Sequence, residues 1–364
     1  MGLAWQDIGS DAGPLQHIYI GEDGAFQVRH SGNSDYQFNP PTSSLGDAGT
    51  FMEYDGLLYM PDFGNHDSTD TPGFGGNIWD MNAQSVVMTA NGVSRVITTL
   101  QTLGDDITLT VVDTYVHGQN CWRTDYIIQN NYTAAAVITL YRGADAYLNG
   151  SNSGYGVTRA GGVVGVAANA GNDPVGNAIW FVPLVADQYF EGTPASLWTL
   201  IDDVDDLPNT VVAGSGDAAL ALAWALTLPA KSVAVRSCLT QVQVAEPTVP
   251  PTLDAWHFRG FCYRGADGDR GTPLGGVTLK LYVGSTNVFA SATVKRTTVS
   301  DSGGFWNFFE DQEFTCYWVE AVTPGGMTAT GSATGDGTII SDTLLRWGSA
   351  PGRGVHAGNE FFAE

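Results

Sequence analysis

Positive charge is scarce in this sequence: 15 Lys and Arg stand against 38 Asp and Glu, for a net charge of −23. Such a surface repels phosphate backbones, which argues against nucleic acid as a partner, and it is equally unsuited to anionic membrane surfaces. Charge of either sign is thin, at 15 % of residues against roughly 25 % in ordinary soluble domains. The Glu, Lys, Gln and Arg that clothe the wet faces of helices are therefore in short supply. No apolar run approaches the roughly 18 residues of a membrane span, so membrane insertion is not expected. The four cysteines contain no CxxC pair, which excludes the common zinc sites. A Gly-x-Ser-x-Gly elbow, a phosphate loop and a His-Glu-x-x-His motif are all missing, and the six histidines, from His17 to His356, lack metal-ligand spacing.

What the sequence does contain is glycine, at 46 residues, with 43 % hydrophobic and 11 % aromatic side chains. That mixture suits sheets joined by tight turns, where glycine supplies positive φ at no steric cost. The fold class expected is all-β. A length of 364 residues allows two or three domains, and the clearest boundary is Val244-Ala-Glu-Pro-Thr-Val-Pro-Pro-Thr-Leu253. Its prolines fix extended backbone and remove donors, giving a stiff spacer. The division expected is a large β-sandwich over residues 1–245, a proline-rich linker over 246–254, and a small immunoglobulin-like β-sandwich over 255–364.

Ile18, Ile20, Phe26 and Val28 flank Gly-Glu-Asp-Gly as a hairpin. Ile107, Leu109 and Val111 alternate with threonines as a half-buried strand does. Trp122–Asn131 and Ala136–Tyr141 read as adjacent antiparallel strands, and Ala218–Leu228 followed by Val233–Cys238 as two buried strands. One helix is expected, Pro194 to Asp206, with Leu197, Leu200, Ile201 and Val204 at helical spacing. The acidic run Asp202-Asp-Val-Asp-Asp206 would then oppose the dipole of its C-terminus. In the second domain Val277, Leu279, Leu281 and Val283 share one strand face. The cysteines fall two to a domain, which permits Cys121–Cys238 and Cys262–Cys316 disulfides; buried thiols are the alternative.

Phe258-Arg-Gly-Phe261, Gly265-Ala-Asp-Gly-Asp-Arg-Gly-Thr-Pro-Leu-Gly-Gly-Val-Thr-Leu279 and Thr297-Thr-Val-Ser-Asp-Ser-Gly-Gly-Phe305 resemble the B-type repeat domains of bacterial surface adhesins. The resemblance covers residues 255 to about 322 and implies a prealbumin-like sandwich used as a spacer or surface decoration. Some relatives bind calcium through an acidic loop, of which Asp267 and Asp269 remain here. Asp113-Thr-Tyr-Val-His-Gly118, Arg123-Thr-Asp-Tyr126, Tyr141-Arg-Gly-Ala-Asp-Ala-Tyr-Leu148 and Gly154-Tyr-Gly156 run in an order that resembles supersandwich regions of actinobacterial exported proteins. Residues 80–245 are also similar to minor tail proteins of phages infecting those hosts.

Several residues carry candidate chemistry. Tyr147, Tyr155, Trp180, Tyr189 and Trp198 offer flat faces for a glycan, with core packing as their other role. Asp62, Asn65, Asp67 and Asp70 place oxygen donors at calcium-loop spacing, to be set beside Asp267 and Asp269; no other cofactor is expected. Asp125 and Asp145 are a conceivable glycosidase pair, which needs carboxylates about 5 to 9.5 Å apart. His117 beside Asp113 is the pair a supersandwich mutarotase would use. No catalytic residue is assigned, and an enzyme is not expected.

The N-terminus lacks the basic start and apolar stretch of a signal peptide. Either a leader has been removed, or the protein leaves its cell by another route, as a virion component does on lysis. The expectation is a phage virion structural protein, in a tail tip, baseplate or surface decoration. Its partners would be other virion proteins, copies of itself and host-surface glycans. The alternatives are a secreted or cell-surface bacterial adhesin and a carbohydrate-active enzyme with a supersandwich domain.

Overall fold

The computed structural model describes every residue except 1–3, 67–72, 90–91, 149, 170–177, 185–186, 248–255, 269, 271, 287, 301–303, 311–313, 335–336 and 348–353. The regular elements of the described chain are all strands except one α-helix, Pro194–Asp202, and two short 3-10 turns. It divides into two units, residues 1–232 with 236–249, and residues 233–235 with 250–364. Most of the proline-rich connector lies outside the described residues.

The larger unit holds a nine-stranded, a six-stranded and a three-stranded sheet. Strands Ile107–Val116 and Cys121–Asn130 are antiparallel neighbours in the nine-stranded sheet. Strand Ala136–Asp145 lies between Ala48–Tyr54 and Ala219–Leu228 in the six-stranded sheet. The expected pairing of Trp122–Asn131 with Ala136–Tyr141 therefore does not form. Asn130 supplies the reason: its side-chain amide donates to the carbonyls of Ala134, Leu228 and Pro229. Those bonds turn the chain out of one sheet and into the other.

The sheets are joined through a polar interior as well as an apolar one. Arg142, on Ala136–Asp145 and fully buried, donates to Tyr126 Oη at 2.9 Å and Thr240 Oγ1 at 2.8 Å. Its guanidinium lies 4.0 Å from the centroid of Phe26. Asp113 accepts from Trp122 Nε1 and Thr124 Oγ1, and burial raises its carboxyl to about 6, against the attraction of Arg142. A buried cation is tolerable because hydrogen bonds and aromatic faces replace its water.

The helix ends earlier than its spacing predicts. Val204 takes a left-handed φ of 53°, and the Asp205 and Val204 N–H groups reach back to the carbonyls of Leu200 and Ile201. This double closure terminates the helix near Asp202. The acidic run consequently lies mostly beyond the helix, where Asp206 accepts from Gln188 Nε2 at 2.7 Å.

In the smaller unit, a four-stranded and a five-stranded sheet enclose a core that includes Val277, Leu279, Leu281 and Val283. The chain is thus all-β, with sandwich-like antiparallel sheets in the larger unit and a smaller sandwich-like pair in the other. The first and last strands of the smaller unit, Trp256–Arg264 and Gly354–Ala363, run parallel to each other.

No cysteine forms a disulfide, and all four are buried. Cys262 points into the inter-sheet core, whereas Cys316 belongs to a separate cluster with Trp318 and Leu344. Alternation along strand Cys316–Val322 turns Cys316 and Trp318 away from the core that Tyr317 and Val319 share with Cys262. Burial pushes Cys121 and Cys262 up to about 12 and Cys238 to about 11, which keeps these three as thiols at neutral pH.

Candidate functional site: a cleft beside the helix

The helix sits on the six-stranded sheet because the sheet is built of small residues there. Leu197 and Ile201 pack against Phe51, Tyr141, Ala219, Ala221 and Ala223. Gly143 completes the seat: a Cβ at that position would lie 3.0 Å from Ile201 Cδ1 and 3.3 Å from Trp198 Cζ3. Thr193 caps the first turn by accepting from the Ser196 N–H, with Pro194 at the first helical position. At the other end, the Asp202 carboxylate accepts from the Gly75 N–H at 2.8 Å. That bond ties the helix to the segment carrying Phe74.

Between these elements opens a cleft of about 490 Å³. Trp198 and Phe74 form its apolar side, with ring centroids 5.6 Å apart at 72°. Trp198 is half-buried, and its ring also packs on Phe51 at 5.9 Å. Asp145, Asp202, Asp217, Asn39 and Asn152 supply the polar side. Asp145, at the end of its strand, exchanges backbone hydrogen bonds with Asn39 and Asp47. Its Oδ2 accepts from Asn39 Nδ2 at 3.3 Å. Asn152 is fixed through its carbonyl, which accepts from the Ala218 N–H, while Ser153 pairs with Asp217. The side-chain Oδ1 of Asn152 is screened from solvent and has no partner among the described residues.

Of the five aromatics singled out in the sequence, Trp198 alone lines the cleft. Trp180 is fully buried, its N–H donated to the Val244 carbonyl and its ring covered by the Arg159 guanidinium at 5.1 Å. It has no face for a sugar. Tyr147, Tyr155 and Tyr189 are half-buried elsewhere and do not line the cleft. Asp125 is sealed in the interior, paired to Arg123 Nε at 2.7 Å and bonded to Ser237. It shares no site with Asp145. His117 bonds Ser94 Oγ at 2.7 Å, whereas Asp113 is committed to Trp122 and Thr124.

Asp62 accepts from the side-chain amide of Asn65, and Asp67 and Asp70 lie outside the described residues. Near Asp267, Arg270 makes two 2.7 Å contacts with Glu360, and the hydrogen bond to Glu360 raises its pKa against the effect of burial. The Asp267 carboxylate lies against Gly331, where a Cβ would meet its Oδ1 at 2.3 Å; Asp269 lies outside the described residues. No group of three or more His, Cys, Asp or Glu suited to a metal occurs among the described residues.

No family model and no curated protein matches this chain. Among solved structures, it is similar to heparan sulfate lyase HepC from Pedobacter heparinus, with a TM-score of 0.39 and 10 % identity over 85 % of this chain. The chain spans 41 % of the lyase's length. A galactose mutarotase related enzyme from Lactobacillus acidophilus gives a TM-score of 0.33 and 9 % identity, over 68 % of this chain and 100 % of that one. The shaft pilin spaA from Lactobacillus rhamnosus GG gives 0.21 and 14 %, over 30 % of this chain and 48 % of the pilin. Likenesses this distant do not bear on activity, so the functional reading rests on the cleft.

Proposed function

We propose that this protein is a non-catalytic surface component that grips a saccharide in the cleft beside its helix. The observation that carries this reading is the lining: an indole ring held edge-on by Phe74, opposite amides and carboxylates. Apolar ring faces pair with sugar C–H groups, and polar groups arranged around them fix orientation. The cleft volume, about 490 Å³, falls within the roughly 300–1,000 Å³ of small-ligand sites. The Asp125–Asp145 pair that the hydrolysis reading named is not assembled, because Asp125 is sealed in the interior.

The setting we propose is a phage virion, in a tail tip, baseplate or surface decoration. The protein would associate there with other virion proteins and copies of itself while meeting host-surface glycans. This part rests on the sequence resemblances. A trimer or higher closed ring by light scattering supports it, and a monomer favours the bacterial adhesin.

The glycan reading is tested by titrating the protein against a panel of cell-wall and capsular oligosaccharides. Saturable binding is expected, weakened at least about tenfold in Trp198→Ala, the loss of one well-made contact region. Because Trp198 also packs on Phe51, Asn152→Ala serves as the companion variant. Binding that is absent, or unchanged in both variants, overturns the reading; release of reducing ends moves it to the enzyme alternative.

A further inference from the structure

We infer that residues 207–217 form a proton-held strap, which closes the seam between the two large sheets while Glu191 is neutral and lifts away once Glu191 is charged. The strand Gln188–Gly192 is the outer strand of the six-stranded sheet, and Gly216–Asp217 is the outer strand of the nine-stranded one. The strap crosses from one edge to the other. At its start Leu207 is buried in the core under the helix, and its N–H donates to Gln188 Oε1 at 3.0 Å. Asn209 exchanges two hydrogen bonds with Tyr189, and the Glu191 N–H donates to the Thr210 carbonyl at 2.9 Å. The crossing itself is made at Val212. Its N–H donates to Glu191 Oε2 at 2.7 Å, and its carbonyl accepts at 2.8 Å from the N–H of Gly156, on the nine-stranded sheet. Residues 208–210 and 212–215 are exposed, so beyond Leu207 the strap is held mainly by hydrogen bonds, as segments that open locally are.

The Glu191 side chain fills the seam under this crossing. It is 2 % exposed, and Gly156 leaves it room, since a Cβ there would lie 2.0 Å from Oε2. The ionisable groups of the surrounding elements are directed elsewhere. Tyr155 and Arg159 alternate with Gly156 to the opposite face of their strand, and Arg159 pairs with Glu246. Asp187 accepts from the Ala225 N–H and Asp206 from Gln188 Nε2. Tyr189 shares the face of Glu191, while Val163–Ala167 and Ala219–Leu228 carry no ionisable side chain. Burial therefore governs the carboxyl and raises it to about 7, with the Val212 N–H pulling it partly back. Once ionised, the group has a backbone donor but no counter-charge in a dry seam, which is costly. Lifting the strap admits water and moves little else. Opening releases the proton, so the open population is lowest below about pH 4.5, climbs as pH rises, and levels off above about 7.

The test is hydrogen exchange on the full chain, with each rate corrected for the intrinsic pH dependence of amide exchange. Opening at the Val212 and Gly156 amides is expected to rise roughly tenfold between about pH 5 and about pH 8. Both should exchange faster at every pH than Tyr126, which is buried in the interior of the nine-stranded sheet. In Glu191→Gln, which keeps an acceptor for Val212 and cannot ionise, the rise should vanish. Opening that does not change with pH in the wild type, or a rise that persists in Glu191→Gln, overturns the inference. Equal opening at Val212, Gly156 and Tyr126 also overturns it, because the whole unit would then be opening rather than the strap. Should the glutamine variant not fold, the wild-type profile decides: a rise confined to the strap amides supports the inference, and any other profile overturns it.

Discussion

Glu191 allows a sharp test of how the larger unit is held together. It lies on the strand Gln188–Gly192, is 2 % exposed, and accepts from the Val212 N–H at 2.7 Å. Gly156 lies against it so closely that a Cβ there would be 2.0 Å from Oε2. Burial raises its carboxyl from 4.5 to about 7, and the Val212 N–H pulls it partly back. The folded chain therefore holds a proton that the unfolded chain has already released, over the window between those two values. Stability from this group is complete below about pH 4.5, declines as pH rises, and levels off above about pH 7. At roughly 1.4 kcal/mol per pH unit the ceiling is about 3 kcal/mol. Screening by water at the edge of the site reduces it to about 2 kcal/mol.

Glu191→Gln keeps an acceptor for Val212 and never ionises. Urea unfolding followed by tryptophan emission should find variant and wild type within about 1 kcal/mol of each other near pH 5. By pH 8.5 the variant should be the more stable by about 2 kcal/mol. A difference that does not change with pH, or a glutamine variant less stable at pH 8.5, refutes the reasoning.

Other outcomes follow from the packing. Gly143→Ala should wedge a methyl under Ile201 and Trp198, costing about 1–3 kcal/mol and weakening glycan binding, read by thermal melting and by the same titration. Arg142→Ala should cost about 3–5 kcal/mol, because it strips the partner from buried Tyr126 and Thr240; Arg142→Met, which refills the space, should lose less. A thiol reagent should label all four cysteines after unfolding and none before, and a reductant should leave the melting temperature in place. A fall in melting temperature on reduction would contradict the four unbridged, buried thiols described, and a fall on adding chelator would support an ion at Asp62, Asn65, Asp67 and Asp70 or at Asp267 and Asp269.

The strands were legible because alternation is a local signal. Val277, Leu279, Leu281 and Val283 face the core as their spacing requires. The helix was legible in its start at Pro194 and in the spacing of Leu197, Leu200 and Ile201, but its end depended on Val204 adopting a left-handed conformation that a β-branched residue rarely takes. Pairing between Trp122–Asn131 and Ala136–Tyr141 misled because nearness in sequence usually means nearness in a sheet. Here a single buried asparagine redirects the chain. Asp145 and Trp198 each stood out in sequence for a separate reason, and nothing in their spacing joined them. Asn39, Asn152, Asp217 and Phe74 carried no signal, because what gathers them is the register of long antiparallel ladders between positions far apart in the chain.

The parallel pairing of the smaller unit's first and last strands has a mechanical meaning. The chain enters that ladder at Trp256 and leaves it at Ala363, at opposite ends of two strands pointing the same way. Tension applied through the two ends of this unit therefore loads the whole row of hydrogen bonds in shear, all at once. Had the strands run antiparallel with both ends on one side, the bonds would open one at a time like a zip. A module wired in this way resists being pulled out of shape, holding until the whole row gives way together.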